Sequence, residues 1–501
     1  MSRINTNVQS LIAQRVLTQN NKSLNQSLER LSTGLRVNRG KDDPAGLIAS
    51  ENLRSEKTSI NAAISNAERA DQVVNIAEGG LSEVSGLLTE LQGLITNTAN
   101  SAGLSDSEKK ANQLQVDSIL QTIDRISGST AFQGKRLLNG NLDYSTTSVA
   151  AGVTDYKVNG AKIAAGSSLA VQAIVTASAQ QAGVFLSAGG SALNFGGSPS
   201  GIFTVEVAGS KGSRELSFAS GTTLTQVAAA INSFTNVTGA QAAVSGTGLK
   251  LSSQDFGSSE FVSVRTVSTP GGIVGSGIYQ LDSTNFGATT GSATTFANAN
   301  NGVRDTGQDI GATINGVRAT SNGKTARVNT DFLDVEISLN TSTSQTRGAV
   351  SAFTITGGGA DFQLAGQVDI AGKVAVGVGN IATRKLGNSI TGYLSSLGSG
   401  QTNAVTGANI EQAQKIVAEA ISQVSSTRGR LGAFQKNTVG ATIRSLSVSL
   451  ENTSAAESSI RDADFATETA GLTRNQILVS AATNILSLAN SAPQSALQLL
   501  R

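Results

Sequence analysis

The sequence predicts a multidomain α+β protein, in which long antiparallel helices come from both chain ends and a β-rich module is inserted between them. Apolar residues near both ends recur at steps of three and four residues, which is the spacing of a coiled-coil seam. In the middle of the chain apolar and polar residues alternate, as in strands with one buried face. Because helical patterns flank this middle part, a domain inserted into a helical bundle accounts for the order of the elements.

The composition excludes several classes of function. The chain of 501 residues has no cysteine and no histidine, so it lacks disulfides, Cys/His metal sites, a thiol nucleophile and a histidine general base. Its 37 basic residues nearly balance 35 acidic ones, which argues against nucleic-acid binding. Aromatic residues make up only 4%, with no tryptophan, so we expect small aliphatic cores.

The sequence gives no sign of a membrane segment or a signal peptide. No run approaches the roughly 18 apolar residues of a membrane span, and the first residues lack a basic region followed by an apolar one. We therefore expect no membrane insertion and, if the protein leaves the cell, export without a cleaved signal.

Both chain ends carry a narrow apolar seam. On the N-terminal stretch it consists of Leu17, Leu24, Leu28, Leu31 and Leu35, with Asn21 at a polar position that sets register. On the C-terminal stretch we assign to it Leu478, Ala481, Ile485, Leu488, Ala492 and Leu499. These seams predict one antiparallel helix pair. Other copies of the chain are expected to cover the apolar residues outside them, which are Val8, Ile12, Val16, Leu472, Val479, Leu486 and Leu500.

A long helix is predicted to begin at Asp43-Pro44, because aspartate is a good N-cap and proline suits the first helical position. Gly79-Gly80 forms a local weak point within it. A third helix follows, capped by Ser105 or Asp106 with Glu108 in its first turn. The long helix has its best heptad row at Ile60, Ala67, Val74, Leu81, Leu88 and Ile95, with Ile64, Val84, Leu91 and Thr98 in the second row.

From about Gly140 to Thr402 the sequence predicts strands, a short helix and hairpins. The helix begins after Thr223, with Gln226 closing a capping box. Asn315-Gly316 and Asn322-Gly323 are hairpin-turn dipeptides. The clearest strands hold Phe203, Val205 and Val207 in one run and Leu333, Val335, Ile337 and Leu339 in another.

Helical spacing returns after Thr402, and three domains are predicted. Residues 1–42 with 460–501 form the terminal coiled coil, 43–140 with 403–459 a second helical domain, and 141–402 the β-rich module with two subdomains. The acidic pairs Asp42-Asp43 and Asp462-Ala463-Asp464 stand where helices begin, so we interpret them as caps rather than as catalytic carboxylates. No catalytic, cofactor or metal residues are assigned.

The chain closely resembles bacterial flagellins in blocks that together span about half of it. The N-terminal blocks are Ile4–Asn7, Glu29–Asn38, Lys41–Leu47, Ile123–Ile126, Thr130–Gly134 and Leu137–Gly140. The C-terminal blocks are Arg428, Leu431–Ala433, Gln435, Ile460–Asp464, Thr467–Glu468 and Leu497–Arg501.

This resemblance implies a structural subunit that polymerises with itself into the flagellar filament for swimming motility, without enzymatic activity or cofactors. It implies a coiled-coil core, a helical shaft and outer β domains. It also implies export of the unfolded chain through the flagellar secretion channel to an extracellular filament. A flagellar export chaperone, the filament cap and hook-associated proteins are the implied partners.

Two alternatives share these features. A hook–filament junction protein has the same terminal helices, and the outer module of a filament subunit could also act as a binding or adhesion domain. A zinc-protease insert, found in some flagellins, requires His-Glu-x-x-His and is excluded because the chain has no histidine.

One short segment bears on recognition by innate immune receptors. Flagellins that activate the vertebrate surface receptor carry an Arg-x-Arg-Glu-Leu run on the resembling helix. Here the aligned residues are Glu90, Leu91, Gln92, Gly93 and Leu94. Because one arginine is replaced by an acid and the other by an amide, the resemblance implies weak activation.

Overall fold

The computed structural model describes residues 6–100, 103–164, 166–196, 201–269, 273–275, 277–282 and 289–498. The α-helices are α1 (Val8–Thr33), α2 (Pro44–Thr98), α3 (Asp106–Ser129), α4 (Leu224–Asn232), α5 (Thr235–Thr238), α6 (Thr341–Gln345), α7 (Ile410–Ala433), α8 (Gly440–Arg461) and α9 (Phe465–Gln498). A π-helix, Phe434–Val439, joins α7 to α8. The prediction of helical ends around a β-rich middle is confirmed.

The strands lie between α3 and α7. They are β1 (Ala131–Phe132), β2 (Lys135–Arg136), β3 (Tyr144–Thr147), β4 (Val153–Ala161), β5 (Leu169–Ala177), β6 (Gly183–Ser187), β7 (Ile202–Gly209), β8 (Gly212–Ala219), β9 (Ala240–Ser245), β10 (Gly248–Ser253), β11 (Phe261–Ser268) and β12 (Gly277–Leu281). They continue with β13 (Thr289–Thr294), β14 (Val303–Thr306), β15 (Gly311–Ile314), β16 (Val317–Arg318), β17 (Thr320–Asn322), β18 (Thr325–Asn329), β19 (Leu333–Leu339), β20 (Gly348–Gly358), β21 (Ala360–Gln363), β22 (Lys373–Val376), β23 (Gly387–Asn388) and β24 (Gly392–Tyr393).

The helix ends follow local capping chemistry. Gly34 ends α1 in the left-handed conformation, with φ of 72°. Asp43 accepts a hydrogen bond from the Gly46 amide at 2.8 Å, as expected of the residue that caps α2. Of the two caps considered for α3, Ser105 is the one observed, and it forms a capping box with Glu108; the capping box predicted for α4 is also present. The predicted starts of α2, α3 and α4 are confirmed.

The chain divides into two compact units, and the division falls within α2. The helical unit consists of Met1–Gln72, Phe362–Gly372 and Ala433–Arg501, and the mixed unit of Val73–Asp361 and Lys373–Gly432. The three domains expected from the sequence stay a prediction.

In the helical unit α1 pairs with α9 and the first part of α2 pairs with α8. The polar contacts of the second pair show that it is antiparallel, because the partner's number falls as the number on α2 rises. Glu51 bonds to Arg461 at 3.3 Å, and Lys57 bonds to Glu457 at 3.2 Å. Asp71 accepts a hydrogen bond at 2.9 Å from Gln435, in the π-helix that precedes α8.

The heptad rows predicted on α2 are largely correct. All six residues of the first row and Val84, Leu91 and Thr98 of the second are buried. Ile64 is an exception, because it is only partly buried and Ala63 takes its place in the row. In the mixed unit α2 is hydrogen-bonded to α3, where Asn112 Nδ2 donates to Thr98 Oγ1 at 3.0 Å, and to α7, where Arg428 bonds to Glu78 at 2.8 Å.

The two glycines of α2 have different surroundings. A Cβ atom added to Gly79 would meet nothing within 4 Å, whereas one added to Gly80 would lie 2.7 Å from Leu138 Cδ1 and 2.8 Å from Thr130 Oγ1. Gly80 therefore permits a close approach, which the sequence pattern alone does not reveal.

We predict that Gly79→Ala stabilises the protein by about 0.5–1 kcal/mol through helix propensity. Gly80→Ala should instead be destabilising, because overpacking costs about 1–3 kcal/mol, which exceeds the gain in helix propensity. Urea unfolding followed by circular dichroism measures both, and equal stabilities would contradict the assigned contact.

The β-strands of the mixed unit form two hydrophobic cores. The first β core lies between the sheets β16-β15-β5-β20-β3 and β17-β18-β19-β4. The second β core lies between the sheets β13-β12-β6-β10-β9 and β14-β11-β7-β8, with α4 packed on it. It is inserted between β5 and β15, where Gln180 and Gln308 exchange backbone hydrogen bonds of 2.8 and 2.9 Å. The inward residues predicted on β7 and β19 are all buried.

The two predicted hairpin turns have different outcomes. Asn315-Gly316 connects β15 to β16 with φ of 48° and 83°, as predicted. At the second hairpin, however, Asn322 is still paired with Thr325, so the turn residues are Gly323 and Lys324. The prediction was therefore wrong by one residue.

Candidate assembly surface

The contact between α1 and α9 is a coiled-coil seam of unusually polar composition. Its members on α1 are Ser10, Ala13, Leu17, Asn20, Leu24, Ser27 and Leu31, and on α9 they are Leu472, Asn475, Val479, Ala482, Leu486 and Ala489. All are buried or partly buried, and their steps of three and four residues are those of a heptad repeat. We call this set the intrachain seam.

Polar residues of the intrachain seam bond across the helix pair and define its register. Asn475 Nδ2 donates to Ser27 Oγ at 3.1 Å, and Asn20 Nδ2 donates to the Leu478 carbonyl at 3.3 Å. Nearer the N-terminus Ser10 Oγ donates to Asn490 Oδ1 at 2.7 Å. Since such bonds have direction, a shift of the helices by one turn would leave several buried polar groups without partners.

An ion pair closes the other end of the helix pair. Arg30 Nη1 lies 2.9 Å from Glu468 Oε1, and both side chains are mostly covered. Next to it Asp464 caps α9, accepting hydrogen bonds from Thr467 Oγ1 at 2.9 Å and from the Ala466 amide at 2.9 Å. These hydrogen bonds hold the pKa of Asp464 below its ordinary value, and the bond from the Thr467 side chain has the largest effect. Because the folded chain favours the charged form of Asp464, this carboxylate stabilises the fold at neutral pH. That contribution is lost when acid protonates it.

The predicted seam residues divide into two groups. Leu17, Leu24 and Leu31 belong to the intrachain seam, as expected for a helix pair. Leu28, Leu478, Ile485 and Leu488 are exposed, and Leu488 keeps 71% of its surface. Their assignment to the α1–α9 contact was therefore wrong.

Other predicted positions on the two helices need the same correction. Asn21 and Ala481 are exposed, and Asn20 takes the polar seam position assigned to Asn21. On α9 the contact is made by Leu472, Val479 and Leu486, which the sequence pattern placed outside the seam. Leu499 and Leu500 lie outside the described residues, as do Ile4 and Asn5.

The exposed leucines and isoleucines form apolar rows beside the intrachain seam. We define the exposed apolar rows as Val8, Leu11, Ile12, Val16 and Leu28 on α1, with Ile477, Leu478, Ile485 and Leu488 on α9. The opposite face of α9 is polar, with Gln476, Ser480, Thr483 and Ser487. Because water surrounds these rows in a single chain, their burial against another surface would be favourable, by about 25 cal/mol per Å².

The segment Glu90–Leu94 lies in α2, within the mixed unit. Glu90 and Gly93 are exposed, Gln92 and Leu94 are partly buried, and Leu91 is fully buried in the helix packing. A Cβ atom at Gly93 would meet nothing within 4 Å. Longer side chains can therefore be introduced there without disturbing the fold.

A polar cleft of about 470 Å³ lies in the mixed unit. Burial raises the pKa of Asp143 and Asp155 and lowers that of Arg430. Arg430 donates to the Asn159 side chain and, from Nη2, to the Gly377 carbonyl at 3.1 Å. These bonds hold a loop against α7 and β4, which is a structural role.

Only one carboxylate of each predicted acidic pair stands at the start of a helix, Asp43 at α2 and Asp464 at α9. Asp42 Oδ2 instead accepts from the Arg39 amide at 2.9 Å in the preceding turn, and Asp462, which follows the last residue of α8, accepts from Ser458 Oγ at 2.6 Å. Within the part of the chain that the structure describes, no group of three acidic residues is arranged to hold a metal ion. In the same residues no helix is long and apolar enough to cross a bilayer.

Comparison with protein families finds two matches. The model of the bacterial flagellin N-terminal helical region matches residues 4–143, and that of the C-terminal helical region matches residues 414–500. The matched residues include both helices that carry the exposed apolar rows.

Several curated flagellins align with this chain over its full length. B-type flagellin of Pseudomonas aeruginosa is 29% identical, with 99% of each chain covered. Flagellin A of Helicobacter pylori is 28% identical, also with 99% of each covered. Polar flagellin F of Vibrio parahaemolyticus is 38% identical over 30% of this chain and 39% of its own.

Solved flagellar structures are more distant. FliC from Burkholderia pseudomallei is 15% identical with a TM-score of 0.23, and covers 73% of this chain and 99% of its own. The junction protein FlgL from Legionella pneumophila is 14% identical with a TM-score of 0.27, and covers 82% of this chain and 99% of its own. TM-scores this low identify no shared overall arrangement.

Proposed function

Because this chain belongs to the bacterial flagellin family, we propose that it is the structural subunit of a flagellar filament and that the exposed apolar rows of α1 and α9 bind neighbouring copies. The observation that carries this proposal is the face of the helix pair that the chain leaves uncovered. Leu478, Ile485 and Leu488 repeat along α9 with heptad-like spacing but do not face α1. A second set of helices around this pair would bury them.

The filament subunit is favoured over the hook–filament junction protein. Flagellins from several genera align with this chain along its whole length. We further propose that the chain is exported unfolded through the flagellar secretion channel, works outside the cell and has no enzymatic activity. A chaperone for the C-terminal stretch, the filament cap and the hook-associated proteins are the proposed partners.

The test is assembly of the purified protein. Filaments are depolymerised by heat, cooled and seeded with short fragments, and growth is followed by electron microscopy. We expect long filaments from this chain alone. If the protein stays monomeric in the presence of its own seeds, at concentrations where other flagellins polymerise, this result would favour the alternative that the chain is a hook–filament junction protein.

Weak activation of the vertebrate flagellin receptor is a separate proposal, based on Glu90, Gln92 and Gly93. Glu90→Arg/Gln92→Arg/Gly93→Glu is expected to raise activation by monomer at least about tenfold, because it restores two cations and one acid at an interface. Reporter-cell dose curves measure this. Glu83→Arg, an equal charge reversal at another exposed position of α2, is the control. Equal potency of the triple variant and the unchanged protein would show that the segment does not control detection.

A further inference from the structure

The π-helix between α7 and α8 differs from the helices on either side of it in its hydrogen bonds. It consists of Phe434–Val439, and the Gly440 amide donates to the carbonyl of Gln435, five residues earlier instead of four. Ala433 and Gly440, which flank it, have ordinary α-helical dihedral angles. A π-helix of this kind takes up one extra residue within a helix, and such segments are rare and often found at functional positions.

Glycine at position 440 suits this wider turn. A Cβ atom there would lie 3.3 Å from the same Gln435 carbonyl oxygen that accepts the hydrogen bond, which is closer than an ordinary contact. Glycine is otherwise among the least favourable residues inside a helix. The residue at position 440 therefore fits the π-helical hydrogen bond better than a regular α-helix.

The extra residue changes the spacing of the buried side chains. Leu431 and Phe434 are buried three residues apart, as on one face of an α-helix. Four residues after Phe434 a regular α-helix would place Thr438 on this face. Thr438 is only partly buried, and the next residue, Val439, is fully buried instead. The step of five residues shows that the π-helix shifts the buried face by one position.

Beyond the π-helix the covered face of α8 continues from Val439. Glu457 on this face bonds to Lys57 of α2 at 3.2 Å, so the face lies towards α2. Val448, on the opposite side of α8, is 58% exposed. We define the inner row as the buried and partly buried residues that follow each other at steps of three and four along this face, Val439, Ile443, Leu446, Leu450, Thr453, Glu457 and Ile460.

Without the extra residue a different row would face α2. A regular α-helix that continued from Phe434 would place on this side the residues one position earlier, Thr438, Thr442, Ser445, Ser449, Asn452, Ala456 and Ser459. Six of these seven are polar, whereas five of the seven residues of the inner row are apolar. Because covering leucine and isoleucine is favourable and covering serine and asparagine is not, the sequence of α8 favours the π-helix.

The end of α8 is bonded to the segment that connects α1 to α2. The Arg36 amide donates to the Arg461 carbonyl at 2.7 Å, and the Arg36 side chain donates to the Ile460 carbonyl from Nε at 3.2 Å and from Nη2 at 2.7 Å. Two residues further on, the Ala463 amide donates to the Gly34 carbonyl at 2.9 Å. These bonds lie where α1 ends and α9 begins, so the orientation of α8 affects how the two terminal helices align.

We propose that the π-helix is a phasing element: its one extra residue turns α8 so that the inner row faces α2, and the orientation of α8 in turn sets the register of the α1–α9 pair. The part of this proposal that concerns the α1–α9 pair deepens the proposed function, because that pair carries the exposed apolar rows.

Two deletions of one exposed residue test the proposal. Deletion of Lys436 removes the extra residue, so Phe434 and Val439 become four residues apart and a regular α-helix keeps the inner row on α2. Deletion of Ser445 keeps the π-helix and turns the rest of α8 by about 100°. We expect the first variant to melt within about 2 °C of the unchanged protein and the second to melt roughly 5 °C lower or more.

The comparison can overturn the proposal. Equal melting temperatures of the two deletion variants, or a lower one for the deletion of Lys436, would show that the π-helix does not set the phase of α8. A third variant restores the phase, with Ser445 deleted and an alanine inserted after Ser447. It is expected to melt closer to the unchanged protein than the deletion of Ser445 alone, and failure to do so would also contradict the phasing role.

Seeded growth under the electron microscope tests the effect on the α1–α9 pair. The deletion of Lys436 is expected to assemble and the deletion of Ser445 is not. Normal filaments from a destabilised Ser445 deletion would show that the orientation of α8 does not set the register of the terminal helices. Because melting is measured on the monomer, failure of the unchanged protein to polymerise would count against the proposed function and leave the melting comparison decisive for the phase of α8.

Discussion

Leu488→Asp is expected to leave the monomer folded and to stop filament growth. In a single chain Leu488 keeps 71% of its surface, so an aspartate there remains hydrated and the α1–α9 pair is little affected. In a filament that buries the exposed apolar rows, the same aspartate would be an unpaired buried charge, which costs several kcal/mol at each subunit. Thermal melting by circular dichroism checks the monomer, and seeded growth under the electron microscope checks assembly.

The neighbouring residue provides the control for this prediction. Ser487 lies on the polar face of α9 and is also exposed, so Ser487→Asp adds the same charge to the same turn of the helix. We expect it to polymerise more readily than Leu488→Asp. Normal filaments from Leu488→Asp would show that the exposed apolar rows are not an assembly surface.

A second large effect is expected from the polar members of the intrachain seam. Ser27→Leu/Asn475→Leu replaces a hydrogen-bonded pair with two apolar side chains at heptad positions. Because burying each leucine contributes about 1.5–3 kcal/mol, the α1–α9 pair should become several kcal/mol more stable in the monomer. Limited proteolysis and hydrogen exchange of the chain ends measure this change.

Exposed positions on the same helices give a matched comparison. Gln26→Leu/Gln476→Leu introduces the same two side chains one residue away from the seam, where they stay in water. Protection of the chain ends should then change little. If both double variants protect the ends equally, the assigned register of the helix pair is incorrect.

The helices of this protein could be predicted from its sequence because their determinants are local. Proline at the start of α2, the capping boxes of α3 and α4 and the heptad row from Ile60 to Ile95 each depend on residues a few positions apart. The inward faces of β7 and β19 were predicted for the same reason. The pairing order of the strands was not predictable, since one β core interrupts the other.

The contact between α1 and α9 was harder to predict because hydrophobicity alone does not say which partner covers a residue. The most apolar row of α9 includes Ile485 and Leu488, and its spacing alone predicts that it contacts α1. The real contact uses Asn475 and Ala482, whose small or polar side chains are covered within one chain. In a polymer the most apolar row of a helix can be the one that contacts other copies. A search for leucine repeats then identifies that row instead of the contact within the chain.

The way in which the second β core is inserted determines what kind of domain the chain can carry at this point. Its two ends meet at Gln180 and Gln308, which are bridged like neighbouring strands and so lie only about 4.5–5.5 Å apart. A recombination event that exchanges residues 181–307 needs to supply only a domain whose two ends are adjacent. The second β core can thus be exchanged as one unit, while the terminal helices keep their sequence.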